Sequence, residues 1–254
     1  MSQDKGGSQD NRVNQDHGVN QDANQAKTPT VQSNMARNGI ILGVFAIVTT
    51  GLIALTYFGT KQQIAEQQQQ KLLSILNAVV NENSYDNQIH LDCAQIQDPK
   101  YLGDNKPHRI YRARLEGDAA AVAIETTAPD GYSGKIHLVV GMFSTNAENA
   151  LVSGVRILSH KETPGLGDKI ELRISDWILD FNQQEYNQNN AHMWAVKKDG
   201  GQFDQFTGAT ITPRSVVKAV KKSIEFYLKN KETIFKAENA CALPTTAEMG
   251  NLDE

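Results

Sequence analysis

From Ile40 to Phe58 no residue carries a charge and nearly every one is apolar or small, whereas the chain on both sides is polar. At a rise of about 1.5 Å per residue, such a run reaches about 30 Å, the thickness of a bilayer's hydrocarbon core. A buried core helix and a cleaved signal peptide are the other readings of an apolar run. This one starts far from Met1 and ends in Thr56-Tyr57-Phe58-Gly59-Thr60-Lys61, with aromatics where an interface would be, which predicts an uncleaved anchor.

Downstream the pattern changes period. Leu72, Leu73, Leu76, Val79 and Val80 form an apolar stripe that predicts a helix over 61–82, with glutamine-rich Gln62 to Gln70 as its solvated part. A coiled-coil partner helix is the other reading of this stripe, which is a short run for one. Tyr111, Ala113 and Leu115 then alternate with Arg112 and Arg114, as in a strand with one wet face. Ala119 to Thr127, Lys135 to Phe143 and Leu151 to Ser159 follow as strands, with Asp130-Gly131 marking the first loop between them. Residues 168–182 predict an amphipathic helix around Ile170, Leu172, Trp177, Ile178 and Phe181. Met193 to Lys197 predicts a last short strand, and Asp199-Gly200-Gly201 a turn. Val216, Val220, Ile224, Tyr227 and Leu228 place a final helix over 214–229, with Pro213 in its first turn and Thr212 as N-cap. A sheet first and helices around it make an α+β domain. The expected organisation is a disordered polar arm (1–37), a membrane anchor (38–60), a helical stalk (61–95), a folded domain (96–235) and a tail (236–254).

Composition adds limits. In the arm a Gln-Asp pair recurs at Asp4, Asp10, Asp16 and Asp22, and so polar a segment has nothing to bury. A net charge of −4 gives no basic footprint, so nucleic acid is not an expected partner. Lys27 and Arg37 flank one end of the apolar run and Lys61 and Lys71 the other, so the positive-inside rule does not orient it. Cys93 and Cys241, the only cysteines, both follow the run; a disulfide in an oxidising compartment and a pair of buried thiols are both open. The six histidines, His17, His90, His108, His137, His160 and His192, lack metal-ligand spacing, and no metal site is expected.

The densest chemistry lies just ahead of the final helix. Thr210 sits where free N–H groups and the helix dipole favour an anion, with Gly208 and Ala209 small enough for backbone amides to come close. Thr-Gly-Ala-Thr by itself also fits an ordinary capped turn. In Glu162-Thr163-Pro164-Gly165-Leu166-Gly167, proline stiffens a loop and two glycines leave Leu166 uncrowded, which suits either a plain turn or a wall for a flat ring.

Asp204-x-x-Thr207-Gly208-Ala209-Thr210 resembles the flavinylation motif of FMN-binding domains, in which the last threonine is esterified to the FMN phosphate. Ala128-Pro129-Asp130-Gly131-Tyr132-Ser133-Gly134 and the stretch from His160 to Asp168 resemble one branch of that family, the G subunit of the Rnf (Rsx) electron-transport complex. The C subunit of the sodium-translocating NADH:quinone reductase is a more distant likeness. With the anchor, these motifs cover the chain from about residue 38 to 230.

The resemblance implies an FMN-binding domain with a mainly antiparallel sheet and packed helices. It implies covalent FMN as a phosphoester on Thr210, with Thr207, Gly208, Ala209 and Thr212 around the phosphate. Glu162, Thr163, Gly165, Leu166 and Gly167 would wall the ring, with Gly131, Tyr132 and Ser133 at the rim. Asp204 would either tie down the turn or meet the flavin transferase that matures the protein. The expected setting is a single pass through a bacterial inner membrane, with membrane lipid around the anchor and the large domain in the periplasm. There the chain would relay electrons among the other subunits of a complex that couples redox chemistry to ion movement. No NADH site or iron–sulfur motif accompanies the resemblance, so independent turnover is not expected. Two alternatives are an anchored FMN-domain reductase with its own acceptor and a flavin-free structural or sensory protein that kept only the fold.

Overall fold

The computed structural model describes residues 31–144 and 148–241. The expected arm lies outside them up to residue 30, as does the expected tail from residue 242. The chain forms two compact units, Met1–Lys61 and Gln62–Glu254.

Helix α1, Val31–Val79, starts within the stretch that composition assigns to the polar arm. In the first unit, Met35–Lys61 is long and apolar enough to cross a membrane, and none of its apolar window is buried. Leu42, Phe45 and Ile47 are exposed. The hydroxyls of Thr49, Thr56 and Thr60 donate to the carbonyls of Phe45, Leu52 and Thr56 one turn back, so these three are satisfied within the apolar helix.

The second unit is built on six antiparallel strands in sequential order: β1 Cys93–Ile96, β2 His108–Leu115, β3 Asp118–Ala128, β4 Ile136–Ser144, β5 Ala150–Ser159 and β6 Gln184–Tyr186. Val122 and Ile124 of β3 and Leu138, Val140 and Met142 of β4 enter the larger core, which is closed by helix α3, Ile211–Lys236, and supported by the short helix α2, Pro99–Leu102. The alternate residues Tyr111, Ala121, Ala123 and Val139 enter a second core with Leu76, Val79 and Val80. The α+β class therefore holds, with both faces of the sheet covered.

The second core changes the expected boundary of the stalk. Glu66 to Gln70 is exposed, but the stretch from Leu72 onward belongs to the domain. Gly141 and Gly154, paired across β4 and β5, make a flat seat for the end of α1. A Cβ on Gly141 would lie 2.0 Å from the Val79 carbonyl oxygen, so only glycine admits this approach. Ser153 donates its hydroxyl to the same oxygen.

Three expectations about the strands and helices need correction. Arg112 is not on a wet face: it is buried, because its face of β2 meets the end of α3. Its Nη1 donates to the carbonyls of Ile234 (3.2 Å) and Ala237 (2.6 Å), and Arg114 Nη2 donates to that of Phe235 (3.1 Å). The two guanidiniums thus satisfy carbonyls that a helix end leaves free, while Asp92 holds both arginines. Residues 168–182 do not form one helix but two 3₁₀ turns, Gly167–Ile170 and Asp176–Phe181, the second capped by the Ser175 hydroxyl accepting from the Trp177 amide. Ile170, Trp177, Ile178 and Phe181 still reach the core, but Leu172 stays exposed. Met193 to Lys197 is not a strand; Ala191–Met193 is a 3₁₀ turn, and Val196 makes one isolated bridge to Phe203.

A disulfide joins Cys93 of β1 to Cys241, beyond α3. Asn239 Oδ1 accepts from the amides of both cysteines at 3.0 Å, which ties the end of the described chain to the first strand.

Candidate functional site

The site forms around the N-terminus of α3. The amide of Ala209 donates to the Phe206 carbonyl (3.1 Å), closing a turn in which Gly208 has φ +81°, and the helix then starts at Ile211. This start makes Thr210 the N-cap, not Thr212. Thr210 nevertheless makes no side-chain capping bond, since its backbone is already helical at φ −71°, ψ −28°. An N-cap hydroxyl normally accepts from an amide in the first turn, and that of Thr210 does not. Thr212 lies inside the first turn and is completely buried, its hydroxyl donating to Glu162 Oε2.

Glu162 is the junction of all three motifs. Its side chain is buried, with Oε2 on Thr212 of α3 and Oε1 accepting from the Ser133 amide at 2.9 Å. A Cβ on Gly167 would come within 2.7 Å of Glu162 Oε2 and 2.9 Å of Thr212 Oγ1, so that glycine is required for room rather than for backbone freedom. The carbonyl of Thr163 accepts from the amides of both Leu166 (3.2 Å) and Gly167 (3.1 Å), curling the loop so that Leu166 projects outward.

Behind the loop, the amide of Glu162 donates to His160 Nδ1 at 3.0 Å, so the ring proton sits on Nε2, facing Glu171 Oε1. Arg173, hydrogen-bonded to Glu171, holds its carboxyl below the ordinary range, with a smaller contribution from His160.

These segments enclose a cleft of about 370 Å³, lined by Tyr132, Glu162, Thr163, Leu166, Gly167, Gly208, Ala209, Thr210, Ile211 and Thr212. Small-molecule sites run from roughly 300 to 1,000 Å³. Tyr132, Leu166 and Ile211 are 70%, 45% and 46% exposed, apolar surface left uncovered around one opening. At the inner end, the amides of Ile211 and Thr212 have no partner within the helix, and the dipole of a 26-residue helix points at Thr210. An anion beside Thr210 and a flat apolar group beside Leu166 both find complementary surroundings.

Other expected residues lie elsewhere. Thr207, Gly165, Gly131 and Ser133 do not line the cleft, although Ser133 braces it through Glu162. Asp204 is exposed and paired with Lys197 Nζ at 2.7 Å, and only its backbone carbonyl is used inward, accepting from Trp177 Nε1 at 2.9 Å. Ile211 was missed, though an apolar residue between two threonines at a helix start was a readable signal. Among the described residues no group of three or more His, Cys, Asp or Glu could hold a metal ion.

Family models match two stretches of the chain: the RnfG N-terminal region over residues 27–79 and the FMN-binding domain over residues 131–225. A solved structure, NqrC of Shewanella oneidensis, overlaps 61% of this chain and 72% of its own at 16% identity and a TM-score of 0.39. The G subunit of the ion-translocating oxidoreductase complex of Vibrio cholerae serotype O1 is 52% identical over 81% of this chain and 96% of its own. Its counterpart in Pseudoalteromonas atlantica is 60% identical over 82% of this chain and 94% of its own. Both the anchor and the domain that carries the cleft are matched, and the chain belongs to the G-subunit family of ion-translocating oxidoreductase complexes.

Proposed function

We propose that this chain is a membrane-anchored flavoprotein subunit that carries FMN as a phosphoester on Thr210 and relays electrons within a complex that moves ions across a membrane. The observation that carries this reading is Thr210, the N-cap residue, which lines the cleft and whose hydroxyl makes no capping bond. Esterification there removes no capping hydrogen bond from the fold. The amides of Ile211 and Thr212 and the helix dipole offset the charge that remains on the phosphate. Leu166, Ile211 and Tyr132 would hold the ring, and Glu162, bonded to Thr212 and the Ser133 amide, keeps the three walls in register. The bound flavin supplies reversible electron transfer, and the protein supplies position and environment.

Asp204 makes no side-chain bond to the turn and is open to solvent, which supports a role in recognition by the flavin transferase. The Cys93–Cys241 bridge supports a domain on the oxidising, periplasmic side of the inner membrane, with Met35–Lys61 as the span through lipid. The other subunits of the complex donate and accept the electrons.

The test is intact-mass measurement of the full chain produced beside a flavin transferase. One FMN per chain is expected, surviving denaturation and absent from Thr210→Ala. Flavin retained by Thr210→Ala after acid precipitation would refute the attachment site. Full flavin loading with turnover of a soluble acceptor by the isolated chain would favour the anchored-reductase reading. No flavin at all would leave the structural or sensory one.

A further inference from the structure

Beyond the cleft lies a buried run of aromatic rings that the proposed electron relay does not use. Phe206, four residues before Thr210, stands 5.1 Å (ring centroids) from Trp177. Trp177 is 5.5 Å from Phe181, which is 4.4 Å from Phe203 and 6.3 Å from Trp194. Trp194 is 5.7 Å from Tyr186, on the edge strand β6. Tyr186 donates its hydroxyl to Glu225 Oε1 at 3.1 Å. Four residues of chain reach at most about 14 Å, so the run begins close to Thr210.

We propose that Trp177, Trp194 and Tyr186 form a route that carries an oxidising hole away from the flavin site, with Glu225 as the terminal proton acceptor. The proposal rests on the flavin reading above. The oxidant is the light-excited flavin ring, an acceptor of one electron. Trp177 gives it one electron and is left as an indole radical cation. Trp194 refills Trp177, and Tyr186 refills Trp194 while its O–H bond breaks and the proton passes to Glu225. One electron has then reached the ring, Tyr186 is a neutral radical, and Glu225 is a neutral acid. Return of the electron and proton restores every group.

The hydrogen bonding suits this order. Trp194 Nε1 is buried with no partner among the described residues, and Trp177 Nε1 donates only to a backbone carbonyl. Neither indole faces a base that would take its proton and trap the hole. Tyr186 is the one station with a carboxylate on its hydroxyl. Burial, and then the Glu225 charge, push the Tyr186 phenol upward, so it holds its proton until it is oxidised. Packing explains why these rings are buried, but an unpartnered indole N–H in a core is a stability loss that packing does not require.

The test uses the full flavinated chain in detergent, read by flavin fluorescence lifetime and by electron paramagnetic resonance under illumination. Trp194→Phe keeps a ring in place and removes no hydrogen bond. Wild type should give a tyrosyl radical and a short flavin lifetime. Trp194→Phe should keep the short lifetime and lose the tyrosyl radical by at least tenfold, whereas Trp177→Phe should lengthen the lifetime. Tyr186→Phe should replace the tyrosyl signal with a tryptophan radical, and Glu225→Gln should lower the tyrosyl yield severalfold. Flavin at full occupancy with no protein radical, or a tyrosyl yield unchanged in Trp194→Phe, overturns the route and leaves the flavin reading standing. Absence of flavin by intact mass overturns both.

Discussion

Replacing Glu162 tests whether one buried carboxylate holds the site together. Glu162→Ala strands two donors: the buried Thr212 hydroxyl and the Ser133 amide lose their acceptor. An unpartnered buried group costs about 1–3 kcal/mol; Ser133 is exposed and its amide can turn to water, so the Thr212 hydroxyl sets the loss at roughly 1–3 kcal/mol. For a domain of this size each kcal/mol moves the melting midpoint by about 2–4 °C, giving a fall of roughly 2–12 °C. Glu162→Gln should lose less, under about 1 kcal/mol, because its amide oxygen still accepts from Ser133 while its nitrogen donates to Thr212. Thermal unfolding of the full chain in detergent, followed by tryptophan fluorescence, reads the domain directly, since Trp177 and Trp194 are both buried in it. Thr212→Val completes a double-mutant cycle and should show coupling with Glu162→Ala of at least about 0.5 kcal/mol. Glu162→Ala melting within a degree of wild type, or Gln and Ala falling equally, would refute the reasoning.

Leu166→Ala should keep flavin in full yield but shift its absorption or fluorescence and slow electron transfer through the complex; covering a half-exposed leucine is worth only about 1 kcal/mol, and an ester does not dissociate. An unchanged spectrum together with unchanged transfer would remove Leu166 from the ring wall. Gly141→Ala forces the Val79 carbonyl off the sheet and should lower stability by roughly 1–3 kcal/mol, measured by the same melting assay; no shift would mean the helix end does not rest there. Cys93 and Cys241 close a loop with a sequence separation of 148, so Cys241→Ser should destabilise by up to about 5 kcal/mol on the chain-entropy account, and alkylation of both thiols without reductant would dispose of the bridge. The Glu171 carboxyl is depressed chiefly by Arg173, so its contribution is complete above the ordinary glutamate range and fades as pH falls through its lower folded value. Arg173→Ala should raise the Glu171 titration midpoint seen by NMR; an unmoved midpoint would show that the pair is not formed in solution.

Some of this molecule was legible because the signal is local. The apolar run from Ile40 to Phe58 needs no partner to be recognised, since its length and lack of charge suffice. Strands β2 to β5 and helix α3 carry patterns long enough to be read alone, and the Thr207–Thr210 motif announces itself beside that helix. The short strands Cys93–Ile96 and Gln184–Tyr186 passed unnoticed because pairing with β2 and β5, not their composition, makes them strands. Arg112 misled for a related reason: its charge says surface, while the carbonyls at the end of α3, more than a hundred residues on, give it a buried role.

The site divides the same way. Sequence by itself determined that a threonine would stand at a helix start, on the same chain as a long apolar run, because hydropathy, capping preference and motif spacing act within a few residues. Only the tertiary structure decided that Thr210 is the N-cap and that Thr212 turns inward. It alone brings Glu162 to Thr212 across 50 residues and to Ser133 across 29. The physical reason is that a hydrogen bond depends on distance in space, and distance along the chain says nothing of it until the sheet has folded.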